Sequence, residues 1–226
     1  MLYHRLLKPL KLLNEYKYKI PKIWFYEIKG IQAVATAKEI QNAKKLSDVR
    51  AKIFLETRSY LRQSLATIFK LDPLEIPIEA NPGEPPKLPF GMGYVSLSHC
   101  RDAIVIVWHK EKIGIDIERI DRNFNYIRFA EKYFFNTYKS TKSKLTKNMI
   151  LKQWCAIEAA IKWDHGKLAK DIKSWQYFKN KNKLVNYNKN LHLNCSQIDF
   201  YQWTIALTYQ ESKYLNHEII CSSKAF

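Results

Sequence analysis

Apolar residues fall into two rhythms along this chain. Short runs with strand character occur at 22–28 (KIWFYEI), 94–98, 103–108 and 113–118, and further runs occur at 199–208 and 215–221. The 103–108 run is apolar throughout, as expected of a strand covered on both faces. Helical spacing appears over 48–70, where Ile53, Leu61, Leu65, Ile68 and Phe69 share a side and Asp72-Pro73 supplies the stop. A shorter helix is predicted over 126–135. A stronger one is predicted over 148–163, with Ile150, Trp154, Ile157 and Ile161 at i, i+4, i+7 and i+11. Asn81-Pro82-Gly83, with Pro85 and Pro86 behind it, marks a turn-rich loop. No short-period repeat is present. The order strand, helix, strands occurs twice, which predicts an α/β chain of two similar lobes meeting near residue 112, namely 1–112 and 113–226. Each lobe is expected to hold a small sheet packed on a long helix.

The chain has 226 residues, 46% of them hydrophobic, enough for a substantial core. No stretch of about 18 apolar residues predicts a membrane span. The opening MLYHRLLKPLKLL is basic and leucine-rich but too interrupted for a signal-peptide core, so a cytoplasmic protein is expected. Cys100, Cys155, Cys195 and Cys221 have no zinc or redox-motif spacing and read as reduced thiols. The formal net charge of +17 would attract polyanions, whether nucleic acid, acidic membranes, acidic proteins or multiply phosphorylated cofactors. Compositional drift gives the same number, and 179–190 (KNKNKLVNYNKN) reads as such drift in a surface loop.

The most informative segment is IGIDIE at 113–118. Strand alternation sends Ile113, Ile115 and Ile117 to one face and Gly114, Asp116 and Glu118 to the other. Two like charges side by side need a reason. A divalent cation of the magnesium type supplies one, and Gly114 would leave room for a phosphate chain beside the backbone. The pattern also fits a solvent-facing strand whose acids sit in water. On the 148–163 helix, Glu158 and Lys162 lie four apart on one face. They fit either a surface ion pair or a third acidic ligand with an ammonium one turn away. Trp154 would anchor that helix and fix the direction of Glu158. Ser98 and His99, in SLSHC at 96–100, could donate to a phosphate or simply cap a turn. No serine–histidine–acid set is apparent.

IGIDIE followed about forty residues later by WCAIEAAIK resembles the two signature motifs of the Sfp-type 4′-phosphopantetheinyl transferases. SLSHC upstream resembles that family's Ser-His element, RSYLRQSL at 58–65 its arginine-bearing first helix, and NPGEPPKLP its Gly-Lys-Pro loop. The similarity spans roughly 22–175. It implies a pseudo-twofold pair of α/β lobes with coenzyme A between them. It implies that magnesium is held by Asp116, Glu118 and Glu158, with Lys162 near the pyrophosphate. It places His99 on the 3′-phosphate with Ser98 beside it, and either Arg50 or Arg58 on coenzyme A. Two positions depart from the pattern. Ile157 stands where the family commonly has lysine, and by periodicity it packs inward. Glu84 stands in the Gly-Lys-Pro loop, where Lys87 is close enough in sequence to substitute.

The implied reaction moves phosphopantetheine from coenzyme A to a serine of an acidic acyl or peptidyl carrier protein, with release of 3′,5′-ADP. Glu158 is the implied proton acceptor and Lys162 holds a phosphate oxygen. A monomer suffices, and neither nucleic acid nor membrane is an expected partner. The lysines at 132, 139, 142, 144, 147 and 152 are expected to contribute to carrier docking. Two other readings remain: a basic, non-enzymatic nucleic-acid-binding module, and an impaired family member that binds coenzyme A or a carrier without turnover.

Overall fold

The computed structural model describes residues 20–31, 34–80, 84–138, 145–210 and 218–221. The N-terminal leucine-rich segment, Asn81-Pro82-Gly83, Lys139, Lys142, Lys144 and residues 215–217 lie outside the described residues. The fold is mixed α/β with two sheets. The chain divides into two compact units. One comprises residues up to Val95 with Arg101–Glu111 and the C-terminal strand; the other comprises Ser96–Cys100 and Lys112–Leu215.

In the first unit, β1 (Lys22–Glu27) runs antiparallel to β3 (Ala103–His109), with Lys22 opposite Trp108 and Glu27 opposite Ala103. It runs parallel to β9 (Glu218–Cys221). With β2 (Tyr94–His99) the order is β2-β3-β1-β9. Every residue of β3 is buried, as its unbroken apolar run requires. The long helix α2 (Asp48–Phe69) packs on this sheet. Tyr26 stacks on Tyr60 with centroids 4.1 Å apart, and its hydroxyl shares a 2.8 Å hydrogen bond with Ser64. Lys70 ends the helix in the left-handed region at φ 56°, and Asp72 then caps a 3-10 turn at Pro73–Glu75. The pattern gave no helix before α2, yet α1 (Ala37–Ala43) is present. A capping box of Thr36 and Glu39 starts it, and Glu39 is tied to Arg62 of α2.

In the second unit, β4 (Ile113–Arg119), β5 (Trp175–Phe178), β6 (Lys183–Asn186), β7 (Leu191–Phe200) and β8 (Trp203–Tyr209) form an antiparallel sheet of order β4-β8-β7-β6-β5. The apolar run at 199–208 is therefore not one strand. The chain reverses at residues 201–202, where Tyr201 adopts φ 50° and Phe200 pairs with Trp203. The lysine- and asparagine-rich 179–190 segment is not a bare loop either. It makes the β5–β6 turn, supplies all of β6 and makes the turn into β7, with Asn182 and Asn190 both in the left-handed region that asparagine tolerates.

Helix α3 (Tyr126–Tyr138) is kinked at Phe134 (φ −127°) and lays Phe129 edge-on against Trp154, centroids 4.6 Å apart. Helix α4 (Lys147–Trp163) buries the predicted stripe of Ile150, Trp154, Ile157 and Ile161. Full burial of such side chains is worth about 1.5–3 kcal/mol each. The short α5 (Leu168–Asp171) follows. Ala156, Ala159 and Ala160 let α4 approach β4 closely. Gly114 marks the tightest point, since a Cβ there would stand 2.1 Å from the Ala159 carbonyl oxygen and 2.7 Å from the Trp163 nitrogen. The space at Gly114 thus belongs to the helix backbone, not to a phosphate chain. Among the described residues, no helix is long and apolar enough to cross a membrane.

Candidate functional site

Strand alternation in β4 and helical periodicity in α4 together place acidic side chains where strand and helix face each other. Asp116 is 2% exposed. Its Oδ1 accepts from Ser98 Oγ at 2.7 Å and from Lys162 Nζ at 2.7 Å. Its Oδ2 is buried with no hydrogen-bond partner. A lone pair buried without a donor is costly, and more so on a charged group. Two residues along the strand, Glu118 Oε1 accepts from Arg122 Nη1 at 2.7 Å and from Trp154 Nε1 at 3.0 Å. Trp154 therefore directs Glu118 rather than Glu158.

Glu158 is half-buried one helical turn before Lys162. Burial, followed by the negative charge of Asp116, raises its pKa to about 8; Lys162 pulls the other way, and Glu118 adds to the rise. Burial and Asp116 also push Glu118 upward against the opposing pull of Arg122. Lys162 is held above the ordinary lysine value, because Asp116 and Glu158 outweigh the cost of its burial. A consistent charge state follows. At neutral pH Glu158 keeps its proton, which it shares in a hydrogen bond with the Asp116 carboxylate. Cys155 is fully buried nearby and donates to the Thr204 carbonyl oxygen at 3.6 Å. Burial and then Asp116 push its thiol far up, so it is not a nucleophile.

His99 is exposed at the end of β2, and its imidazole feels both Lys162 and Asp116. Desolvation and then Lys162 lower its pKa, while Asp116 opposes them. The structure therefore gathers Ser98, His99, Asp116, Glu118, Glu158 and Lys162 in the second unit. Arg50, Arg58 and Lys87 belong to the first. There Arg50 and Lys87 are exposed. Arg58 is 7% exposed, lies 5.1 Å from the Phe54 ring centre and has an unpartnered Nη1. Sequence reasoning missed Arg122. Its only signal was its place four residues after Glu118, in a segment that reads as a loop.

Among the described residues, no group of three or more His, Cys, Asp or Glu side chains is gathered closely enough to hold a metal ion as built. The chemistry of the donors nevertheless suits a hard divalent cation. All are oxygens, and one buried carboxylate oxygen lacks a donor. Two cations, the Lys162 ammonium and the Arg122 guanidinium, supply the positive charge beside them. No protein-family model and no curated protein matches this chain.

Proposed function

We propose that this chain transfers the 4′-phosphopantetheine arm of coenzyme A to a serine of an apo acyl or peptidyl carrier protein. The observation that carries the reading is the buried Asp116, with its free Oδ2, beside Glu118, Glu158 and Lys162. Its elements follow the order IGIDIE then WCAIEAAIK that resembles the transferase signatures. Two sheets, each with a long helix in its own unit, are compatible with the two-lobed fold of that family. A monomeric, cytoplasmic enzyme is part of the same proposal.

In this reading Asp116, Glu118 and Glu158 would hold magnesium. Magnesium, when bound, would polarise the pyrophosphate and neutralise charge on the departing 3′,5′-ADP. Lys162, released from Asp116, holds a phosphate oxygen. Glu158, once a bound metal has displaced its own proton, would accept the proton of the attacking serine hydroxyl. Ser98 and Trp154 hold Asp116 and Glu118 in their rotamers. By the resemblance, His99 would take the 3′-phosphate of coenzyme A, and Arg50, Arg58 and Lys87 are the family-derived candidates for a further cation. Phosphoryl transfer of this kind depends on positioning and electrostatics, so no nucleophile on the chain is needed. Ile157 is fully buried, so its departure from the family's lysine serves the core.

The test is intact-mass analysis of apo-carriers incubated with the protein, coenzyme A and magnesium. The carrier is expected to gain the mass of one phosphopantetheine group, and chelation should abolish the gain. Folded protein that modifies neither an acyl nor a peptidyl carrier would overturn the proposal.

A further inference from the structure

A separate feature of the second unit is a cleft of about 370 Å³ beside the first turns of α4. Met149, Tyr177 and Phe178 supply its apolar surface, and Lys152, Lys179 and Lys181 stand around it. No acidic side chain lines it. Lys152 pairs with Asp199 at 2.5 Å, whereas Lys179 and Lys181 are exposed.

The rim is fixed rather than loose. The amide of Asn182, at φ 49°, donates to the Lys179 carbonyl oxygen at 3.1 Å, and the Asn182 carbonyl accepts from the Cys195 amide at 2.8 Å. Tyr177 is anchored through its hydroxyl to Gln197 Oε1 at 3.3 Å, and Gln197 Nε2 donates to the Lys152 carbonyl at 2.6 Å. The backbone that carries Lys179 and Lys181 is thus fixed beside the apolar hollow, while their exposed side chains stay free to reach a partner.

We infer that this cleft docks an acidic partner protein that inserts one apolar side chain between Met149, Tyr177 and Phe178 while its carboxylates meet Lys179 and Lys181. The argument is charge complementarity. The volume is more than enough to admit an aliphatic or aromatic side chain, and the charges lie at the rim, where they steer encounter. That the partner is an acidic carrier protein rests on the transferase reading. The lysine- and asparagine-rich stretch that reads as compositional drift thereby acquires a binding role, and the docking charges lie on the β5–β6 hairpin as well as at Lys152.

The experiment measures anisotropy of a fluorescently labelled apo-acyl carrier protein titrated with wild type, with Lys179→Glu/Lys181→Glu and with Met149→Ser. All three are first matched by circular dichroism and thermal melting. The double reversal is expected to weaken binding about tenfold at low salt, and the difference should shrink as salt rises. Met149→Ser should weaken binding severalfold at every salt concentration. Coenzyme A binding by calorimetry should stay unchanged in both variants.

Equal affinities in all three proteins, or no carrier binding by the wild type, would overturn the docking inference. A single-stranded RNA oligonucleotide that binds the same lysines more tightly than the carrier would also overturn it. Lysine-dependent carrier binding without phosphopantetheine transfer keeps this inference and sinks the transferase reading. Transfer with a carrier KM unaffected by the substitutions does the reverse.

Discussion

Lys162 Nζ lies 2.7 Å from Asp116 Oδ1, so the buried carboxylate is paired with an ammonium from the facing helix. The other oxygen of the same carboxylate is buried and takes no bond from a basic side chain, and Glu158, which keeps its proton below about pH 8, stands beside this carboxylate as a donor. Asp116 is thus the hub of the cluster, coupled to Ser98, Lys162 and Glu158 at once. Asp116→Asn removes one negative charge with little change in volume. Carrier modification is expected to fall by at least about 10²-fold, the scale seen when one preorganised electrostatic group is lost. The pKa of Glu158, raised by burial and then by Asp116, should drop below about 8. Carbon-detected NMR titration reads that drop without reference to activity. A Glu158 pKa unchanged in Asp116→Asn would separate the two residues.

Divalent binding should release a proton. Below pH 8 the metal-free Glu158 is mostly protonated, because its folded pKa of about 8 lies above the ordinary carboxyl value. A metal that ligates the carboxylate must displace that proton. Magnesium affinity is therefore expected to rise with pH up to about 8 and then level off. Calorimetry at pH 7 in buffers of different ionisation enthalpy should report up to one proton released. The sign for stability is opposite. A carboxyl raised on folding favours the native state at low pH, and that benefit is lost as pH rises through 8. Glu158→Gln should accordingly be more stable than wild type at pH 8.5 without magnesium, and should bind magnesium weakly at any pH.

Much of the site could be read from periodicity because β4 and α4 carry clean patterns. Alternation in IGIDIE fixes Asp116 and Glu118 on one face, and the Ile150–Ile161 stripe fixes the face on which Glu158 and Lys162 stand. What escaped depends on contacts distant in sequence or on special backbone angles. Gly114 reads as open space from the strand alone, and only the helix packed over it shows the space is filled. The 199–208 run reads as one strand because the apolar pattern continues through a two-residue turn that has no glycine. Helix α1 has seven residues and a weak apolar pattern, and it is held by Glu39 reaching Arg62, a pairing no local window contains.

Gly114→Ala should be among the most destabilising small substitutions in the second unit. The new methyl would meet the Ala159 carbonyl oxygen and the Trp163 nitrogen, both backbone atoms of α4, so no side chain can turn aside. The helix must shift as a body, at a cost of about 3 kcal/mol or more. Urea denaturation reads this directly. Because a moved α4 carries Glu158 and Lys162 with it, carrier modification should fall even under conditions where the variant is fully folded. A loss of stability below about 1 kcal/mol would show that α4 has slack over β4.

Acid sensitivity of the first unit should trace to Glu39. Its carboxylate takes a forked pair of bonds from Arg62, Nε to Oε2 at 2.8 Å and Nη2 to Oε1 at 3.1 Å, and it also accepts from the Thr36 amide at 2.9 Å. Burial alone would raise its pKa, but the Arg62 and Thr36 bonds outweigh burial and hold it below the ordinary carboxyl value. The sign follows from that depression. The stabilisation is complete above the unfolded-state pKa and is lost as pH falls through the lower folded value. Glu39→Gln should therefore flatten the loss of stability below about pH 4.5. Arg62→Ala should cost about 3–5 kcal/mol near neutral pH, because it strands a buried carboxylate. It also leaves the Pro73 and Ile76 carbonyl oxygens without the donor that Arg62 Nη1 provides. Thermal melts of the two variants from pH 3 to 8 check both expectations, and parallel curves for Glu39→Gln and wild type would assign the acid transition to another group.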